Sequence, residues 1–273
     1  MGIEETSYTP VKRYLMEIAY DGGNYSGWQI QPHCLAVQQV IQENLFKMYD
    51  KQFIHLIGSS RTDAGVHAQN FAATFLAPAQ PAIPQERLFK ALNRRLPGDI
   101  KIHTIREVPL EFHARYDAKG KAYTYVLNLG EESPFNGRYS WRPYRKQNVE
   151  LIRQVATVLT GTHDYSSFVV ERKEIDDAVR TIYRIEVEEI GQFCCITFVG
   201  NGFLYKMIRC LMGMIEAVSA GVVSVDGARR ILEARDRTQA PETAPARGLF
   251  LMKVFYDDAE LENFKMPGLP FLQ

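Results

Sequence analysis

The tightest constraint on this chain is an order of elements that occurs twice. Hydrophobic alternation marks a strand through Tyr14, Met16, Ile18 and Tyr20, and the turn-rich Asp21-Gly22-Gly23-Asn24 ends it. From Leu35 to Met48, Val37, Val40, Ile41, Leu45 and Met48 recur at helical spacing, so one face of this helix packs on a sheet. Two strand runs follow, Phe53 to Ile57 and Gln69 to Phe75, with a loop between them. Pro84 opens a helix over Glu86 to Arg94, Pro97-Gly98 stops it, and a strand covers Asp99 to Arg106. The first half therefore reads βαββαβ.

The same order returns further on. Tyr123, Tyr125, Leu127 and Leu129 line one face of a strand that ends at Gly130, and Val149, Ile152, Val155 and Leu159 mark a helix. After a polar insertion, Gly161 to Asp177, strands from Val179 to Ile190 and from Gln192 to Val199 meet at Gly191. A helix carries Leu204, Ile208, Leu211, Ile215 and Val218, another runs from about Ser224 to Arg235, and a strand from Leu249 to Tyr256 closes the chain. The expected fold is α+β: two pseudo-symmetric βαββαβ halves of split βαβ, ferredoxin-like type. Helices cover one face of each sheet, the other face is free to bind, and the sheets abut around a central cleft. The 273 residues divide into a loose N-terminus at 1–10, a first half at 11–110 and a second half at 111–273.

The halves differ at the central hairpin. The second has only Gly191 there, whereas the first has a long loop holding Arg61-Thr62-Asp63-Ala64-Gly65-Val66-His67. Asp-Ala-Gly suits an ordinary turn, because Asp bonds its own backbone and Gly takes positive φ. It also places a lone carboxylate beside Arg61 and His67. Such a carboxylate can act as nucleophile or general base while it stays ionised and aimed, and partial burial then calls for a nearby cation. Arg209 is a candidate, about a third of a turn off the apolar stripe of its helix alongside Tyr205; the alternative is a solvated Arg209, or one paired with Glu216. Tyr123 either stacks on a base or packs in the sheet beside Tyr125. Tyr25-Ser26-Gly27-Trp28-Gln29 reads as a loop with exposed aromatics.

Lys plus Arg equals Asp plus Glu at 32 each, so any nucleic-acid surface must be local. One region qualifies: Arg87 to Lys146 holds 13 Lys/Arg against 6 Asp/Glu, interleaved with Tyr and Phe. The six His show no ligand spacing, and phosphate-loop and dinucleotide glycine signatures are missing, which leaves cofactor-free chemistry. The four Cys form no C-x-x-C pair, Met1 to Thr9 lacks a basic-then-apolar signal, and no apolar run reaches membrane-spanning length. A cytoplasmic, reducing setting is expected.

Taken together the motifs resemble the tRNA pseudouridine synthase A family. The resemblance runs through Tyr20-Asp21-Gly22, Tyr25-Ser26-Gly27-Trp28-Gln29, Arg61 to Ala68, Ala91-Leu92-Asn93 with Leu96-Pro97, and Phe112-His113-Ala114-Arg115. It continues in Tyr123-x-Tyr125, Gly161 to Asp164 with Ser167-Phe168, Met207-Ile208-Arg209, and Ala244-Pro245-Ala246-x-Gly248-Leu249. One departure stands at Ser59-Ser60, where many relatives carry a smaller or glycine residue.

The resemblance implies a set of roles. Asp63 is the essential nucleophile, attacking uridine at C1′ or at C6, and Arg209 pairs with its carboxylate. Tyr123 stacks on the flipped base and helps remove the C5 proton, Arg61 assists flipping or fills the vacated space, and Leu249 forms part of the uracil pocket. It implies as substrates the uridines at positions 38, 39 and 40 of the tRNA anticodon arm, a homodimer crossed by tRNA, and no cofactor or metal. The rivals are a synthase acting on other RNA positions, a silent RNA-binding or chaperone module, and a carboxylate-dependent nucleoside glycosylase.

Overall fold

The computed structural model describes residues 10–170 and 177–272. The chain divides into two compact units, Met1–Ala118 and Lys119–Gln273. The first contains β1 (Pro10–Tyr20), α1 (Val37–Met48), β2 (Leu56–Gly58), β3 (His67–Pro78), α2 (Gln85–Arg95) and β4 (Ile100–Val108). Its sheet runs β4-β1-β3-β2 with every neighbouring pair antiparallel. Alternation along β1 sets the register: Tyr14, Met16 and Ile18 lie opposite Phe75, Ala73 and Phe71 of β3. Val37, Ile41 and Leu45 of α1 and Leu88 and Leu92 of α2 are buried, and each such burial is worth about 1.5–3 kcal/mol. Asn93 locks α2 to β4, its amide donating to Ile102 O at 3.0 Å and its carbonyl oxygen accepting Ile102 N at 2.9 Å.

The second unit contains β5 (Gly120–Asn128), α3 (Val149–Leu159), β6 (Gly161–Asp164), β7 (Val179–Ile190), β8 (Phe193–Gly200), α4 (Met207–Ser219), α5 (Val225–Ala234), β9 (Leu249–Phe255) and α6 (Asp258–Asn263). Its strands order as β9-β5-β8-β7-β6, again antiparallel throughout. With β5, β7, β8 and β9 matched to β1 to β4, both sheets share one order, and β6 is an added edge. The α+β class and the doubled βαββαβ order are therefore as expected.

Four details differ. The stretch read as a polar insertion contains β6, whose Thr162 hydroxyl meets that of Thr181 on β7 at 2.8 Å; a strand built on polar pairs carries no apolar alternation to reveal it. Strand β2 begins at Leu56 rather than Phe53. Helix α4 begins at Met207 rather than Leu204, because Lys206 takes a left-handed φ of 57°. Among the described residues the second sheet also leaves no face free. Ala122, Val126, Cys195, Phe250 and Met252 are buried with Leu261 and Met266, and Phe264, Leu269 and Phe271 pack against that cluster. The loose N-terminus expected at 1–10 lies outside the described residues except for Pro10, the first residue of β1, and residues 171–176 of the insertion lie outside them too. Among the described residues no helix is long and apolar enough to cross a membrane.

Candidate active site

In the first unit the Asp63 loop joins β2 to β3. Ser59 N donates to Ala72 O at 2.8 Å, extending strand pairing into the loop. Beyond it Arg61 is exposed, Thr62 is buried and Asp63 is partly exposed. Thr62 is the anchor. Its Oγ1 lies 2.8 Å from the Tyr20 hydroxyl, and its carbonyl accepts Trp28 N at 3.3 Å. Gly27 passes so close that a Cβ there would lie 2.3 Å from Thr62 O and 3.1 Å from the Asp63 carbonyl carbon, and its φ is +92°. Only glycine satisfies both conditions without strain.

The far side of the loop is tied down as well. Val66 N donates to Asp63 O at 3.1 Å, and Gly65 N donates to Tyr25 O at 3.3 Å. His67 Nδ1 accepts Gly22 N at 3.1 Å and lies 3.0 Å from Asp21 Oδ1. The Tyr25 hydroxyl donates to Asp99 Oδ1 at 2.6 Å, and burial followed by that carboxylate pushes its phenol up from the usual range. Tyr25 and Trp28 are thus buried, contrary to their expected exposure. Gly27 lets the chain pass beneath the loop, and the Trp28 indole stacks on Phe71 with centroids 4.0 Å apart.

In the second unit Arg209 occupies the first turn of α4, with its Nε donating to Ala244 O at 2.8 Å while Ala244 N donates back to Arg209 O at 3.0 Å. The guanidinium and the positive end of the helix dipole combine there, and the result suits an anion. Glu216, the alternative partner, accepts Gln147 Nε2 at 3.4 Å and lies 3.7 Å from Arg145. Tyr205, expected alongside Arg209 on the helix, precedes α4, and the Lys206 ammonium sits over its ring.

Tyr123 and Tyr125 share one face of β5, being two residues apart. Tyr123 is 8% exposed and meets Phe203 edge-on at 5.4 Å. The Tyr125 hydroxyl donates to Pro245 O at 2.7 Å, and burial pushes that phenol up. Leu249, buried, begins β9 directly opposite Tyr125. The segment from Ala244 to Leu249 therefore links Arg209, Tyr125 and Leu249.

Of the expected residues, Asp63 and Arg61 share one loop, Arg209 and Leu249 share one anchoring segment, and Tyr123 lies on the central strand beside it. Gly27, Thr62, Tyr20, Tyr125 and Ala244 position these groups. Sequence reasoning assigned them no role, although all five lie within the quoted motifs. Among the described residues no three His, Cys, Asp or Glu side chains stand together as a metal-ligand set.

The family model described as tRNA pseudouridine synthase matches residues 16–117 and 155–257, one segment in each unit. A protein of Protochlamydia amoebophila named tRNA pseudouridine synthase A 1 is 41% identical over 249 residues, covering 90% of this chain and 96% of its own. The tRNA pseudouridine synthase A of Exiguobacterium sibiricum is 41% identical over 250 residues (92% and 99%), and that of Lacticaseibacillus casei 42% over 246 (89% and 99%). Among solved structures, a Cbf5-Nop10-Gar1 complex aligns over 88% of this chain and 58% of its own with a TM-score of 0.36 and 12% identity, too slight a likeness to build on.

Proposed function

The chain belongs to the tRNA pseudouridine synthase family, and from that premise we propose that Asp63 is the nucleophile that converts uridine to pseudouridine at positions 38, 39 and 40 of the tRNA anticodon arm. Family membership makes the protein an isomerase that forms pseudouridine in tRNA. In the proposed course the target uridine swings out of its stack, which is cheapest in a loop or at a stem end. The Asp63 carboxylate attacks C1′ or C6 and the C1′–N1 bond breaks. The uracil turns, C5 bonds to C1′, the C5 proton leaves, N1 gains a proton and the carboxylate is released. No atom is gained or lost overall.

Arg209 keeps Asp63 ionised by pairing with it, a charge-assisted contact supported by its electropositive position at the start of α4. Tyr123 stacks on the flipped uracil and accepts the C5 proton. Arg61, exposed beside Asp63, fills the vacated stack, and Leu249 lines the uracil pocket. The enzyme works as a cytoplasmic homodimer with tRNA crossing both subunits, and needs no group beyond its own side chains.

The observation that carries this reading is the clamp on the Asp63 loop: the neighbour Thr62 is fixed by Tyr20, Gly27 and Trp28, while the carboxylate itself stays partly exposed. Tritium release from C5-labelled tRNA tests it. Asp63→Asn should abolish release while tRNA affinity stays within about tenfold, roughly 1.4 kcal/mol. Unchanged turnover would remove Asp63 from the chemistry. Mapping the modified uridines should show loss at 38, 39 and 40 alone, and loss elsewhere would assign the enzyme to other positions.

A further inference from the structure

Helix α2 turns Leu88 and Leu92 inward and spends Asn93 on Ile102, which leaves its outer face to charge. At about 100° per residue, Arg87, Lys90 and Arg94 fall within roughly a 60° arc and span about 10 Å along the axis. All three are exposed, and with Pro84, Glu86 and Ala91 they line an open groove of about 420 Å³. Among the described residues none of these three side chains enters a hydrogen bond or an ion pair, with Glu86 or with anything else. Several cations elsewhere are committed instead: Lys12 to Glu107 at 2.7 Å, Arg153 to Glu189 at 2.9 Å, Lys253 to Glu260 at 3.0 Å.

We propose that this cationic face of α2 is a docking surface for the phosphodiester backbone of the RNA substrate. Helix stability does not account for the arrangement. Like charges three and four residues apart repel, and Arg87 lies in the first turn, at the end of the dipole that disfavours cations; only Arg94 sits where the dipole welcomes one. Polyanion binding does account for it, since the guanidinium groups of Arg87 and Arg94 can meet phosphate oxygens in bidentate fashion, the Lys90 ammonium adds a point charge between them, and the three cations can track successive phosphates. The groove offers only Pro84 and Ala91 as apolar surface, too little to hold an apolar peptide.

The same helix is mechanically continuous with the catalytic loop. Shortly after α2, Asp99 accepts the Tyr25 hydroxyl at 2.6 Å and its carbonyl accepts Asp21 N at 2.9 Å; Tyr25 O accepts Gly65 N. Phosphates held on α2 therefore set the position of the RNA relative to Asp63 within one compact unit. This rests on the reading that RNA is the substrate.

The test is the salt dependence of tRNA binding, measured by fluorescence anisotropy from 50 to 200 mM KCl in an Asp63→Asn background, where no turnover intervenes. The triple change Arg87→Gln, Lys90→Gln, Arg94→Gln should lower the slope of log K against log[KCl] by about 2–3 and weaken binding about 10- to 100-fold at the lower salt. Its Tm should equal or exceed that of the parent, because Gln keeps helix propensity and the repulsion is gone. A control that removes three already paired cations, Lys12→Gln, Arg153→Gln and Lys253→Gln, should change the slope by less than about 0.5. An unchanged slope in the stripe variant, or an equal fall in the control, overturns the proposal. Either result leaves tritium release by the wild type untouched, and a wild type that releases no tritium leaves the slope comparison valid.

Discussion

Gly27 and Thr62 touch through bare backbone, with the space a Cβ would need at Gly27 ending 2.3 Å from the Thr62 carbonyl oxygen. The contact sets how far the Asp63 loop stands from the layer beneath it, where Trp28 stacks on Phe71. A methyl group at position 27 has two costs that add: the +92° φ disfavours any side chain, and the loop must retreat by the missing contact distance.

Gly27→Ala should therefore lower stability by about 1–3 kcal/mol. With Asp63 as the proposed nucleophile, the effect on turnover should be larger, about 100-fold, because a displacement near 1 Å at such a group costs that much. Thermal melts and single-turnover tritium release check the pair. Equal, small losses in both would mean that the loop tolerates movement.

Two buried thiols give the fold a defined alkaline weakness. Cys194 and Cys195 are fully buried on β8, and burial pushes each thiol up from 9.0 to about 12, with Glu189 adding to the first and Cys194 and Glu188 to the second. Below pH 9 both states hold the proton and nothing is lost. Above it the unfolded chain releases protons that the folded chain keeps, so stability falls as pH rises from 9 towards 12. The two thiols together should cost about 2 kcal/mol between pH 9 and 10, and the buried phenols of Tyr25, Tyr125 and Tyr165, also pushed up, add a further fall as pH approaches 10. Urea midpoints at pH 8, 9 and 10 measure this. The double change Cys194→Ala, Cys195→Ala should reduce the fall between pH 9 and 10 by about 2 kcal/mol whatever it does to stability at pH 8, leaving the part due to the buried phenols, and an undiminished slope would place its origin elsewhere.

How much of this was legible follows from what each element is made of. Strands β1 and β5 and helices α1, α2 and α3 declare themselves because burial on one face imposes a period on their apolar residues. Strand β6 does not, since its pairing with β7 uses Thr162 and Thr181. Trp28 misleads because the loop composition of Tyr25-Ser26-Gly27-Trp28 reports local polarity, whereas its burial depends on Phe71 and Gly58, distant in sequence. Asp63 could be singled out by loop length and by motif; the contacts that hold its loop, from Tyr20 to Thr62 and from Gly27 to Thr62, are long-range and appear only in the fold. The cover over the second sheet was missed for a similar reason: Met266 and Phe271 lie in a short irregular tail with no period of their own.

Gly213 offers the sharpest separation of local propensity from tertiary contact. It sits in the middle of α4, where Ala is intrinsically better by about 1 kcal/mol. A Cβ there would, however, lie 1.8 Å from Glu242 O and 3.0 Å from its carbon, so the 242–245 segment would have to move. That segment carries both Ala244, which exchanges hydrogen bonds with Arg209, and Pro245, which accepts the Tyr125 hydroxyl at 2.7 Å. Overpacking outweighs the propensity gain, and Gly213→Ala should destabilise by about 1–3 kcal/mol. With Arg209 in its proposed role as counter-ion of the nucleophile, its displacement should reduce kcat about 100-fold with a much smaller change in KM. Gly98→Ala, with nothing within 4 Å of the added methyl group, is the matched control and should stay within about 0.5 kcal/mol of wild type. A Gly213→Ala protein that melts at or above the wild-type temperature would show that the 242–245 segment yields freely, and Arg209 would then need another source of alignment.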